Sequence, residues 1–132
     1  MPTFSVSDLQ ALALKILEAA GVPAADAGIV SKELSEANAV GHDSHGVMRL
    51  MQYVQMIDDG FVKLGAEVET VRSGGAFTIL DANFNFGQVA ANLAVERGVE
   101  LARNVGTATV MIRNCNHVGR LGSYSKKAAE QG

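Results

Sequence analysis

Near residue 60 the hydrophobic pattern of this chain changes from helical spacing alone to strands mixed with helices, and the change leaves few folds open. Before it, apolar residues recur at helical spacing. Leu9, Leu12, Ile16 and Leu17 form one stripe, opened by Ser5 or Ser7, with Ser7 preferred as N-cap, and stopped at Gly21. Pro23 suits the first turn of a second helix, which carries Ile29, Val30, Leu34 and Ala37 to about Gly41. A third helix is predicted from about His45 to Asp59, closed by Gly60. Residues 1–65 therefore read as a helical subdomain.

Beyond that point strands enter. Glu67 to Arg72 alternates weakly and Ala76 to Leu80 is apolar and β-prone, with the turn Ser73-Gly74-Gly75 between them, so a hairpin is predicted. A helix follows from about Gly87 to Arg103. Its small residues Ala90, Ala94, Gly98 and Ala102 recur every fourth position, which lets the backbone lie close to a sheet or another helix. Thr107 to Ile112 reads as a third strand, Asn114 to Arg120 as a polar loop and Leu121 to Glu130 as a last helix. Residues 66–132 thus begin a second, sheet-containing domain, and the fold class is α+β. Gly132 falls at a helix C-cap, a position that leads one to expect further elements.

Composition narrows the setting. A chain of 132 residues that is 48% apolar and 19% charged can bury a core. A net charge of −3 argues against a nucleic-acid partner. No apolar run is long enough to span a bilayer, and the start lacks the pattern of a signal peptide. The single cysteine, Cys115, has no internal disulfide partner. A cytoplasmic location without membrane contact is the expectation.

The segment Gly41-His42-Asp43-Ser44-His45-Gly46-Val47-Met48-Arg49-Leu50-Met51-Gln52-Tyr53 concentrates chemistry. On a continuous helix His45, Arg49 and Tyr53, each four apart, line a face away from Val47, Leu50, Met51, Val54 and Ile57. Arginine grips a carboxylate through paired hydrogen bonds. Histidine exchanges protons near neutral pH, and a phenol donates to a remaining oxygen. Asp43 or Ser44 can cap the helix, whose free N–H groups favour an anion. From spacing alone, His45 can equally be a cap or surface residue, and Arg49 with Tyr53 a solvated face. A His42/His45/His117 metal site is the weakest alternative, because no paired acid follows, and no metal is expected.

A second cluster, Arg113-Asn114-Cys115-Asn116-His117-Val118-Gly119-Arg120-Leu121-Gly122-Ser123-Tyr124, sits between a strand and a helix, where ligands are often bound. It is not a Gly-x-Gly-x-x-Gly fingerprint and gives no support to a Rossmann site. It can also be read as a polar turn before a capped helix, with Cys115 a buried, inert thiol.

Together the clusters carry a resemblance. Ser44-His45-Gly46-Val47-Met48-Arg49-Leu50 with Tyr53 resembles the Ser-His-Gly-x-x-Arg-Leu-x-x-Tyr signature of the type-2 malate/L-lactate dehydrogenases. Asn116-His117-Val118-Gly119-Arg120-Leu121-Gly122-Ser123-Tyr124 resembles their His-x-Gly-x-x-Gly-x-Tyr signature. Leu80-Asp81-Ala82-Asn83 and Gly87-Gln88 lie between them as in that family, with Ala82 where glycine is commoner. The resemblance implies a longer protein with a helical N-terminal part joined to a mostly antiparallel, non-Rossmann sheet domain, usually a homodimer. It implies interconversion of a small 2-oxo acid and 2-hydroxy acid with NAD or NADP. It carries acid/base roles to His45 and His117 and substrate binding to Ser44, Arg49 and Tyr53. The main nucleotide contacts are expected beyond residue 132, with Gly119 and Arg120 the candidate cofactor contacts within the chain. The alternative is a non-catalytic helical binding or dimerisation module, should 132 residues be the full native length.

Overall fold

The computed structural model describes residues 3–132. Helices α1 (Val6–Ala19) and α2 (Ala24–Ala39) pack together, followed by two single 3-10 turns, Asp43–His45 and Val47–Arg49, and by α3 (Leu50–Asp58). Then come β1 (Glu69–Ser73), β2 (Phe77–Asp81), α4 (Gly87–Val105), β3 (Thr109–Arg113) and α5 (Leu121–Ala129). Ser5, rather than Ser7, caps α1: its hydroxyl accepts from the Asp8 N–H at 3.1 Å. The core gathers Ala13, Leu17, Val22, Ala27, Val30 and Leu34 around Leu50, Tyr53, Val62 and Phe86. Burying these side chains is the main drive for the helical part to close. Among the described residues no helix is long and apolar enough to cross a membrane.

The predicted third helix does not begin at His45. Gly46 is extended (φ −88°, ψ −160°), and it separates the two 3-10 turns. The cause is Asn38 on α2. Its Oδ1 accepts from the Val47 N–H at 2.8 Å and its Nδ2 donates to Asp43 at 2.6 Å. A Cβ on residue 46 would lie 2.1 Å from that same Oδ1, so only glycine lets the side chain in. Neither Asp43 nor Ser44 acts as a side-chain cap here.

The three strands lie in the order β1-β2-β3 and the sheet is mixed. The hairpin is antiparallel, with a bulge between Thr70 and Arg72. β2 and β3 are parallel, from Phe77↔Thr109 to Asp81↔Arg113, because α4 carries the chain back between them. The small-residue stripe does what its spacing implies: a Cβ on Gly98 would already touch Val110 of β3 at 3.4 Å. Ala82 is fully buried, and its N–H donates to the Arg113 carbonyl at 3.0 Å. The positive φ angles of that turn fall on Asn83 (48°) and Phe84 (62°), so alanine at position 82 is not strained.

Helix α5 is fastened by Lys127, which donates to both Glu33 of α2 and Asn92 of α4. Glu33 is only 4% exposed. Burial works to raise its pKa, but hydrogen bonds from Lys127 and Asn92 prevail and hold it below the usual carboxylate value.

Candidate functional site

The loop after β3 is pinned before it reaches His117. Asn114, in the left-handed region at φ 48°, donates from Nδ2 to both Asp81 carboxylate oxygens at 2.9 and 3.0 Å. Asn116 Nδ2 donates to the carbonyls of Phe84 (2.7 Å), Phe61 (3.1 Å) and Asn85 (3.2 Å). The loop then crosses the start of α4 at Gly87. A Cβ there would stand 2.2 Å from the Asn116 carbonyl oxygen and 2.4 Å from that of His117. Glycine at position 87 is therefore what allows the loop to seat, and it sets where His117 lies.

Tyr53 departs from the expectation of a polar face. It is 2% exposed, packed among the core residues with its ring 5.7 Å from that of Phe86. Its hydroxyl has buried polar partners instead of solvent: Gln88 Nε2 donates to it at 2.7 Å, and it meets His117 Nδ1 at 2.9 Å. Because α3 starts only at Leu50, His45, Arg49 and Tyr53 do not share one helix face. They converge on one place by a different route, the 3-10 turns supplying two and α3 the third.

The rings of His45 and His117 lie 5.4 Å apart, and His42 stands edge-on to His45 at 4.7 Å. Ser44 Oγ is 3.0 Å from His45 Nδ1. Arg49 donates through Nε to the Ser44 carbonyl at 2.6 Å and through Nη1 to Gln52 Oε1 at 2.7 Å, which fixes the guanidinium beside the histidines. Two imidazoles, a guanidinium and a serine hydroxyl thus lie in one cluster.

Electrostatics favour neutral imidazoles. Burial, then the charges of Arg49 and His45, hold His117 below its ordinary value. Burial, then His42 and Arg49, do the same to His45. Burial raises the Tyr53 pKa against the opposing effects of Gln88 and Arg49, so the phenol keeps its proton. Burial also pushes the Cys115 thiol up, away from the thiolate a nucleophile needs. Among the described residues no group of three or more His, Cys, Asp or Glu side chains is arranged to hold a metal ion.

Gly119 is buried, with φ 79° and its α-carbon turned toward Gln88. Arg120 lies over Gly122 and donates from Nη2 to Ser123 Oγ at 3.1 Å. The sequence reading attached no role to Gln88 or Asn38. The available signal was a lone amide in the apolar run from Phe86 to Ala91.

The sequence profile described as malate/L-lactate dehydrogenase matches residues 4–132. The chain belongs to the malate/L-lactate dehydrogenase family. It is 38% identical to malate dehydrogenase of Pyrococcus abyssi over 125 residues, which are 95% of this chain and 34% of that protein. It is 33% identical to L-sulfolactate dehydrogenase of Methanocaldococcus jannaschii, over 91% of this chain and 35% of that one. Its fold is similar to the solved malate dehydrogenase of Pyrococcus horikoshii OT3, with a TM-score of 0.94 and 33% identity, covering 98% of this chain and 37% of that chain. The chain therefore spans about a third of the length of these family members.

Proposed function

We propose that the protein is an oxidoreductase interconverting a small 2-oxo acid and the matching 2-hydroxy acid with NAD or NADP. The observation that carries this is the convergence of His45 and His117, at 5.4 Å between rings, beside the fixed guanidinium of Arg49. Family membership, and relatives named malate and L-sulfolactate dehydrogenase, support it.

The roles follow from the groups. Arg49 binds the substrate carboxylate through paired hydrogen bonds, helped by Ser44. A protonated His45 or His117 gives its proton to the carbonyl oxygen during reduction. The neutral ring takes the hydroxyl proton during oxidation. The lowered pKa of both rings favours the neutral, proton-accepting state near neutral pH. Tyr53, buried and committed to His117 and Gln88, fits the role of orienting the histidine better than direct substrate contact.

Hydride donation is the chemistry that a bound nicotinamide supplies. Gly119 and Arg120 do not fit a cradle for its phosphates, since one faces Gln88 and the other is folded onto Ser123. Nucleotide contacts are assigned to the part of the family fold that this chain does not span. A cytoplasmic homodimer completes the proposal.

The test is a panel of 2-oxo acids offered to the full-length protein with NADH and with NADPH, following loss of the reduced nicotinamide. Turnover of at least one acid is expected. No turnover with any acid or either cofactor would leave the binding-module alternative standing.

A further inference from the structure

Gln88 is fully buried on the first turn of α4, and its two amide atoms are treated differently. Nε2 donates to the Tyr53 hydroxyl at 2.7 Å, whereas Oε1 is buried with no hydrogen-bond partner. An unpaired buried carbonyl is costly unless another state of the molecule uses it. Tyr53 in turn touches His117 Nδ1 at 2.9 Å. The three groups form a chain whose direction can be worked out.

With the amide donating to the phenol oxygen, the phenol proton is directed to His117 Nδ1. Neutral His117 then carries its own proton on Nε2, the ring atom left for a substrate, and in this arrangement it has no lone pair there to take a substrate proton. To exchange a proton at Nε2, whether as a charged ring that gives one or as a neutral ring that takes one, His117 must hold a hydrogen on Nδ1 and donate it to the Tyr53 oxygen. The phenol hydrogen needs a new acceptor. Half a turn of the Gln88 amide would bring Oε1 to that position. Each arrangement then gives the phenol hydrogen an acceptor, and one half of the Gln88 amide is idle in either. Only a side chain that is donor at one end and acceptor at the other can serve both.

We propose that Gln88 is a positioning residue whose amide orientation sets the direction of the Tyr53–His117 hydrogen bond, and with it whether Nε2 of His117 is free to exchange a proton with substrate. The inference rests on the reading of His117 as a proton-transfer group, but its test is read without turnover. The groups facing His117 are Arg49 and His45 from the 3-10 turns and Tyr53 from α3, with the neutral Gln88 of α4 on the far side of the Tyr53 hydroxyl. Cys115, on the same loop, is engaged with the Asn116 carbonyl at 3.3 Å.

The experiment is nitrogen NMR of the full-length protein labelled on its histidine rings, with the His117 signal assigned by its loss in His117→Ala. Wild type should show neutral His117 protonated on Nε2. Gln88→Glu offers only acceptors when ionised, so it locks the second arrangement. The neutral tautomer should move to Nδ1–H and the His117 pKa should rise by about one unit. Gln88→Met removes both arrangements and leaves the phenol hydrogen of the protonated state without an acceptor. The pKa should fall by roughly half a unit or more. Simple loosening of the loop would instead move both variants upward, toward an ordinary imidazole. Shifts of the same sign, or none, would overturn the proposal, and if Gln88→Glu does not fold, the sign for Gln88→Met decides it alone.

Discussion

Gly87→Ala sets two physical effects against each other. Residue 87 opens α4, and replacing glycine by alanine in a helix stabilises it by up to about 1 kcal/mol on propensity alone. The structure predicts the opposite sign. The new Cβ would stand 2.2 Å from the Asn116 carbonyl oxygen, where ordinary contact begins at 3.4 Å, so one backbone must retreat by about 1.2 Å. The loop cannot yield freely, because Asn114 and Asn116 tie it to Asp81 and to three carbonyls. A shift of that size would carry His117 Nδ1 from 2.9 Å to beyond the hydrogen-bonding range of the Tyr53 hydroxyl. We expect a loss of about 1–3 kcal/mol in stability, as for overpacking. We also expect a fall of about 10²-fold in kcat, as for a catalytic group displaced by an ångström. Denaturant unfolding and steady-state turnover on the full-length protein measure both. A variant at least as stable as wild type, with kcat reduced less than about threefold, would refute the argument that Gly87 positions His117.

Arg49→Leu should raise KM for the oxo acid, by the equivalent of about 2–4 kcal/mol; an unchanged KM would remove the carboxylate role. His45→Ala and His117→Ala should each lower kcat by about 10²–10⁴ where the residue is the general acid, and a loss under about tenfold removes that residue from the role. Stability should depend on pH in a defined window. His45 and His117 are held below 6.5 in the fold, so between those lowered values and 6.5 the unfolded chain binds more protons. Their contribution is complete above pH 6.5 and is lost as pH falls through the folded values, so Tm should drop on acidification below pH 6.5. A flat Tm across that range would contradict the neutral-imidazole assignment.

Much of the architecture was legible because its causes are local. The apolar stripe ending at Leu17, the Ser73-Gly74-Gly75 turn and the small face of α4 each act within a few residues, and each element formed where its pattern lay. The break at Gly46 was not legible, because it is imposed by Asn38, nine positions away from the Val47 N–H it captures. The helical wheel built on an unbroken helix therefore gave Tyr53 the wrong environment, although it chose three residues that do converge. The candidate site came from the sequence as a residue list, by way of the family signatures, and the structure brings His45, Arg49 and His117 of that list together. The spatial link between its two segments was not legible, since it depends on a missing Cβ at Gly87 and on a buried amide at Gln88.

Tyr53 and His117 stand 64 positions apart, and nothing short of tertiary closure brings them together. A nascent or partly opened chain would hold an ordinary, solvated imidazole there. Detachment of the 114–120 loop would part His117 from Tyr53 while the α1–α2 core stayed packed, so the proposed activity would be lost before global melting. In amide exchange, the N–H of Ser123, bonded to the Arg120 carbonyl at the end of that loop, would then open more readily than the centres of α1 and α2. Thermal damage would then be seen first in the titration of His117 and only afterwards as a loss of helix.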